Sequence, residues 1–403
     1  MITKEPRLAN RKKCTGCMAC KDSCHKDAIG SHLGSDGHLY VKVNRGKCIG
    51  CLACEKACPV TSELNYSTSD IDVFFAAWNK NIEERKRSAS GGAFSAMAHY
   101  FLDNGGVVFG ACVDDICNVH HTFITNVNEI YKLQGSKYTQ SDASNSYKDT
   151  LVFLKEGKMV LFSGPGCQVA GLLAFLKGYK YSGTLVTVDL ICGGIPSRYL
   201  VDRFIDNEPY KIKRIISFRT KEHGWKSRGF SYNMKVEDTD GVIHDYTEKR
   251  NLVTTAYGVS LTNRYSCYAC QFVGTKRMSN FTIGDLWGDA KYPQEHFNGV
   301  SLVVSHNSDA SKLLYEMRDY LHVGECDRDS ACRINYRLVD GRSISKYTIE
   351  RLFLPYIFSK CSYSTLKKIY ANDYPAYSPW MLLKIARYIY MKLLRLIILH
   401  RYK

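Results

Sequence analysis

Residues 13–24 read KCTGCMACKDSC, and residues 47–58 read KCIGCLACEKAC. Cys14, Cys17, Cys20 and Cys24 are spaced C-x2-C-x2-C-x3-C, and Cys48, Cys51, Cys54 and Cys58 repeat that spacing directly before Pro59. Lys13, Gly16 and Ala19 recur as Lys47, Gly50 and Ala53, so the start of the chain reads as a duplicated half-domain. Three thiolates on one tight loop can face three corners of a cubane only where small residues let the backbone wrap closely; Gly16, Ala19, Gly50 and Ala53 meet that need. The first copy departs from the second at His25, which stands where Pro59 does.

The doubled run is the pattern of bacterial two-cluster ferredoxins, in which the fourth Cys of each run ligates the other cluster. By that rule cluster I takes Cys14, Cys17, Cys20 and Cys58, and cluster II takes Cys48, Cys51, Cys54 and Cys24. A zinc ribbon would leave half of these thiols idle. A disulfide framework conflicts with the basic, polar Met1 to Lys13, which lacks the apolar region of a secretory signal, so a reducing cytoplasm is expected.

At 403 residues the chain is long enough for two or three domains. Its 45% hydrophobic and 23% charged residues exclude a disordered, collagen-like or coiled-coil chain. No apolar run reaches the roughly 18 residues needed to span a bilayer. The formal charge of +16 raises nucleic acid as a partner. No helix-turn-helix, zinc-finger or RNP signature accompanies it, and none is expected to bind.

Between Val60 and Arg87 the pattern predicts a linker, a first strand at Val73 to Trp78 and a surface turn over NKNIEERKR. Ser90 is a candidate N-cap for an amphipathic helix ending near Gly105, before a strand at Val107 to Cys112. The runs Met159 to Phe162 and Thr184 to Leu190 lead into the glycine turns SGPGCQ and ICGGIPS, which indicates an α/β layer with a ligand at the carboxyl ends of its strands. No GxGxxG or Walker motif is present. From about Lys211 the chain turns β-rich, with a hairpin signal at Asp240-Gly241. Cys267 and Cys270 form one more C-x2-C, open among zinc, a redox dithiol and cluster ligation.

SASGGAF at 88–94, GSKYTQS at 135–141, SGPGCQVAGL at 163–172, DLICGGIPS at 189–197 and the block from RYSCYAC to GDLWG at 264–288, in this order, resemble the beta-subunit family of coenzyme F-420 hydrogenases and dehydrogenases. With the ferredoxin module this covers most of Cys14 to Gly288. The resemblance implies an iron–sulfur flavoprotein with FAD in the α/β core, and a further 4Fe-4S cluster on Cys167, Cys192, Cys267 and Cys270. It places Ser90, Gly91, Gly92, Gly135, Ser136, Lys137, Tyr138, Gly164 and Gln168 at the flavin, with Lys137 near its ring or pyrophosphate. Relatives usually read GTPCQ where this chain has SGPGCQ, and carry His after the Cys of ICGGIPS. The missing His removes one acid–base group, and no catalytic residue is assigned.

The expected fold is a 2×4Fe-4S ferredoxin-like module at 1–65, an α/β flavin-binding core at 66–205, a mixed β-rich C-terminal part of that same domain at 206–370, and a basic amphipathic helix at 371–403. In that last segment Lys384, Arg387, Lys392 and Arg395 fall on one arc among Leu, Ile and Met, a composition suited to an anionic membrane surface. The expected function is an FAD and iron–sulfur oxidoreductase fed by ferredoxin or another redox protein, with a small-molecule substrate from a surface-polysaccharide pathway or a deazaflavin coenzyme. The alternatives are an electron-transfer subunit without its own substrate, and a scaffold that has lost its flavin.

Overall fold

The computed structural model describes residues 5–62, 72–115, 117–221, 224–225, 234–246, 252–258, 260, 262–289, 291–339 and 361–370. The expected basic helix at 371–403 lies outside the described residues. Among the described residues no helix is long and apolar enough to cross a membrane.

The N-terminal module carries one antiparallel hairpin, β1 (Ile29–Leu33) with β2 (Leu39–Val43). The core is one eight-stranded sheet. Its strands are β3 (Val73–Asn79), β4 (Val107–Val113), β5 (Val119–Ile124), β6 (Met159–Pro165), β7 (Thr184–Leu190), β11 (Phe281–Asp285), β12 (Ser301–Ser305) and β13 (Leu321–Glu325), in the order β13-β3-β12-β11-β7-β6-β4-β5. The four central strands β11, β7, β6 and β4 run parallel, and antiparallel strands flank them on both sides. Parallel strands covered on both faces read as continuous apolar runs, and VLFSG of β6 and all of β12 are buried. Residues alternate across the sheet. Val108, Leu161 and Val188 face the helices Ala93–Asp103 and Ser308–Glu316, while Val107, Phe109, Val160 and Phe162 face Ser146–Lys155 and Gly166–Leu176.

The C-terminal part is β-rich, as expected, in two separate ways. β8 (Ile212–Ser217), β9 (Met234–Asp238) and β10 (Ile243–Tyr246) form a small antiparallel sheet. Its β9–β10 turn is tied by the Asp238 carboxylate, which accepts from the backbone N–H of Asp240 and Val242. β11, β12 and β13 instead return to the core sheet beside β3 and β7, so the parts before and after residue 205 share one sheet.

Two local expectations are corrected. Ser90 does not cap the following helix: Gly92, in the left-handed region, is its N-cap, and the Ser90 hydroxyl donates to the Val300 carbonyl. Gly91 is the cause, because it is pressed against the backbone of Ser301 and Ala77, where a Cβ would lie 2.5 and 2.6 Å from main-chain atoms. The expected surface turn contains a helix, Ile82–Arg87, whose N-terminus is capped by the Asn81 side chain. Glu83 and Glu84 open it and Lys86 and Arg87 close it, complementing the helix dipole.

The N-terminal module is fastened to the core by buried hydrogen bonds. The Asp22 carboxylate accepts from the N–H groups of Asn145 and Tyr147 at the start of Ser146–Lys155 (2.8 and 3.2 Å), and the Tyr147 hydroxyl donates to the Cys17 carbonyl at 2.7 Å. Gln140 accepts from the Leu39 N–H and donates to the Gly16 carbonyl.

Candidate iron–sulfur and flavin site

The two motif loops share one backbone. Gly16 and Met18 have φ of 70° and 68°, and Gly50 and Leu52 have 71° and 60°, each pair leading into a one-turn helix, Ala19–Asp22 or Ala53–Lys56. Positive φ at Met18 and Leu52, which are not glycine, costs conformational energy that a structure accepts only where its surroundings demand it.

The first motif gathers with one residue of the second. Burial pushes the Cys17 thiol up to about 12, with Cys58 and Cys14 adding to the rise. Cys20 is raised by burial and then by Cys17, Cys58 and Cys14. The complementary exchange is present as well: burial and then Cys24 push Cys54 up to about 11, with Cys51 contributing. Cys48 lies on the same loop, half-buried, and Cys51 is exposed. Cys17 and Cys20 thus feel Cys14 and Cys58, and Cys54 feels Cys24 and Cys51, while Cys20, Cys24 and Cys54 pack in one cluster. Among the described residues no three His, Cys, Asp or Glu converge closely enough to hold a single metal ion. A cubane places each thiolate on its own iron, so its ligands need not meet at one point. Thiols held protonated by burial release their protons on binding iron.

A further set of four thiols forms at the carboxyl ends of β6 and β7. Cys167 opens the helix after β6, Cys192 follows β7, and Cys267 and Cys270 come from the short helix Tyr265–Tyr268 and the turn beyond it. Cys167 is raised by burial and then by Cys270, Cys192, Cys267 and Cys17, in that order. Burial also pushes Cys267 up to about 12 and Cys270 to about 11. All four line one small cavity with Gly166 and Arg337. The N–H of Gly194 points at the Cys192 sulfur (3.3 Å) and that of Ile195 at the Cys267 sulfur (3.4 Å), the kind of contact that sets cluster potentials. Cys17 packs against Gly171 of the helix that carries Cys167, which brings this set beside the first.

Beside it opens a cleft of about 570 Å³, within the range of small-molecule sites. Of the residues assigned to flavin, Ser90, Gly92, Gly135, Ser136, Lys137, Tyr138, Gly164 and Gln168 line it, and Gly91 lies behind its wall. Cys192, Gly193 and Arg337 line both cleft and thiol cavity. The Lys137 ammonium donates to the carbonyls of Leu133 (2.9 Å) and Gln134 (2.7 Å), and burial holds it down to about 8. Gln168, 2% exposed, donates to the Ser141 carbonyl, while its Oε1 has no partner among the described residues. That free acceptor fits a ligand that brings its own N–H, as the flavin ring does.

Several cleft residues carried no sequence signal. His121, on β5, hydrogen-bonds through Nε2 to the Ser163 carbonyl (3.0 Å), so Nε2 carries the proton, and Nδ1 accepts from the Ser141 hydroxyl (2.6 Å). Burial lowers it to about 4, which keeps it neutral. It does not replace the missing His as an acid, since its only proton is committed. The Arg219–Asp285 pair, with contacts of 3.0 and 3.2 Å, closes another wall, and Tyr257 stacks on Tyr138 at 4.0 Å.

Doubled thiol loops, fused to an α/β sheet with four more thiols and a cleft at its strand ends, define an iron–sulfur electron-transfer protein. Residues 13–62 match the 4Fe-4S dicluster domain; 74–148 and 157–329 match the N- and C-terminal portions of the coenzyme F-420 hydrogenase/dehydrogenase beta subunit. The chain belongs to that beta-subunit family, and its fold and oxidoreductase class are those of the family. Among solved structures it is similar to a chain of the F-420-reducing NiFe hydrogenase complex from Methanosarcina barkeri, in a xenon-derivatised form, at 14% identity and a TM-score of 0.45, covering 68% of this chain and 89% of that one. No curated protein matches.

Proposed function

We propose that this chain is a flavin-dependent iron–sulfur oxidoreductase subunit with three 4Fe-4S clusters. Cluster I is held by Cys14, Cys17, Cys20 and Cys58, cluster II by Cys24, Cys48, Cys51 and Cys54, and the third by Cys167, Cys192, Cys267 and Cys270. Ser90, Gly92, Gly135, Ser136, Lys137, Tyr138, Gly164 and Gln168 hold FAD, with Gly91 as backing. Bound there, FAD exchanges two electrons with an organic molecule and single electrons with iron–sulfur centres. The protein's part is to fix the spacing of these groups and exclude water from them.

The observation that carries the reading is continuity. Cys51 is exposed on the loop that leads to Cys54, and Cys54 packs in one cluster with Cys20 and Cys24. Cys17 packs against Gly171 on the helix that carries Cys167, and Cys192 borders the cleft. Electrons enter at Cys51 from ferredoxin or a similar carrier. Anaerobic protein mixed with reduced ferredoxin should bleach its flavin; a flavin that stays oxidised beside intact clusters overturns the relay.

The family's description as a beta subunit favours a second reading, an electron-transfer subunit whose substrate site lies on a partner subunit. Turnover by the isolated chain with an organic substrate, a deazaflavin or a surface-polysaccharide precursor, separates the two. The basic segment beyond Asp373 supports a peripheral place at the inner membrane face, and a chain ending at Pro379 should then lose binding to anionic liposomes.

A further inference from the structure

Arg264 is completely buried. Taking a guanidinium out of water costs several kcal/mol unless an opposite charge is near. Yet among the described residues no carboxylate lies within ion-pairing distance of it. Its acceptors are neutral: Nε donates to the Cys14 carbonyl at 2.6 Å, and Nη1 donates to the Leu39 carbonyl and Gln140 Oε1 at 2.8 and 3.1 Å. Below the plane lies the Tyr40 ring, 4.3 Å from the guanidinium carbon. The remaining nitrogen, Nη2, points at the Cys14 sulfur, 3.5 Å away.

Its second neighbour belongs to the other thiol set. The Arg264 carbonyl accepts from the Cys267 N–H at 3.0 Å, while among the described residues the side-chain hydrogen bonds of Arg264 go to Cys14, Leu39 and Gln140. The residue thus joins both thiol sets, by its side chain at Cys14 and by its backbone at Cys267. Four thiolates around a 4Fe-4S core leave a net negative charge, and one-electron reduction makes it more negative by one without breaking any bond. A fixed positive charge stabilises the reduced form more than the oxidised form.

We propose that Arg264 is a positioning residue for cluster I: its guanidinium supplies counter-charge there and raises that reduction potential, while cluster II and the third cluster keep their own settings. This inference rests on the cluster assignment above. It explains why a guanidinium with no carboxylate in reach among the described residues is tolerated at the seam: the anionic cluster on Cys14 takes that place.

The test is a redox titration of the anaerobic full chain, followed by electron paramagnetic resonance, for wild type, Arg264→Gln and Arg264→Lys, with iron counted in each. Wild-type protein lacking iron in the Cys167 set overturns the three-cluster reading itself. With wild-type iron in place, R264Q should shift cluster I to a more negative potential while cluster II and the third cluster stay put, and R264K should recover most of the shift. Unchanged potentials in both variants, or an equal shift of all three clusters, overturns the proposal. Loss of cluster I from both variants also overturns it, by assigning Arg264 to assembly; where only R264Q loses it, R264K decides, wild-type potentials supporting the proposal and lowered ones refuting it.

Discussion

Gly171 and Cys17 meet closely enough that a methyl group would have to push its neighbours aside: a Cβ on Gly171 would lie 3.1 Å from the Cys17 sulfur and 3.1 Å from the Tyr147 hydroxyl. The helix Gly166–Leu176 therefore acts as a floor for the first thiol loop while its own first turn carries Cys167. One element serves both thiol sets, and their separation is set by a rigid, hydrogen-bonded backbone instead of a linker.

Gly171→Ala should be disproportionately costly for so small a change. Overpacking of this kind destabilises by about 1–3 kcal/mol, and a Cys17 bound to iron cannot move aside. Thermal unfolding and iron content measured together should show a lowered midpoint with iron lost mainly from cluster I; a midpoint and iron content equal to wild type would mean that the seam is looser than it looks.

Cross-ligation predicts an asymmetric loss. Cys58→Ser should damage the cluster built on the first motif, and Cys24→Ser the one built on the second. Cys270→Ser should lower iron from about twelve to about eight per chain, leaving both ferredoxin-type signals in place. Spectroscopy of each variant reads this out, and retention of about twelve irons in C270S would remove the third cluster.

Lys137 offers a pH test of the flavin site. Burial holds its ammonium near 8, so it is charged below that value and neutral above it. If it contacts the flavin as assigned, FAD affinity should fall, by about tenfold or more, as pH rises through 8, since charge-assisted hydrogen bonds contribute about 1.5–3 kcal/mol. Lys137→Gln should bind more weakly and show no such pH dependence when FAD release is titrated by fluorescence.

His121 works in the opposite range. Its folded value of about 4 lies below the ordinary 6.5, so the unfolded chain takes up a proton first on acidification. Stability is unaffected above 6.5 and is lost between 6.5 and 4; at pH 5 the loss is about 2 kcal/mol. His121→Gln should lose less stability than wild type between pH 7 and 5, and parallel declines in thermal midpoint would refute the assignment.

The ferredoxin loops were legible because their ligands are contiguous. A cubane dictates spacing within a dozen residues, and the glycine and alanine positions that let the loop coil are written beside the cysteines. The strands at Val73 to Trp78, Val107 to Cys112, Met159 to Phe162 and Thr184 to Leu190 were legible for a similar local reason, since strands buried on both faces are unbroken apolar runs. Even the hairpin at Asp240-Gly241 needs only its own turn. The capping of Ala93–Asp103 was misread because Gly91 answers to Ser301 and Ala77, which are distant along the chain.

By itself, then, the sequence determined that this protein opens with a ferredoxin-type 4Fe-4S domain and has an α/β core with ligand-ready turns. Only the tertiary structure decided that β11, β12 and β13 re-enter the core sheet, that the cleft opens beside the Cys167 set, and that Arg264 joins that set's backbone to Cys14. These are properties of strand order: a parallel sheet delivers the ends of β6 and β7 to one edge, and residues far apart in the chain become neighbours there through packing that no local spacing encodes.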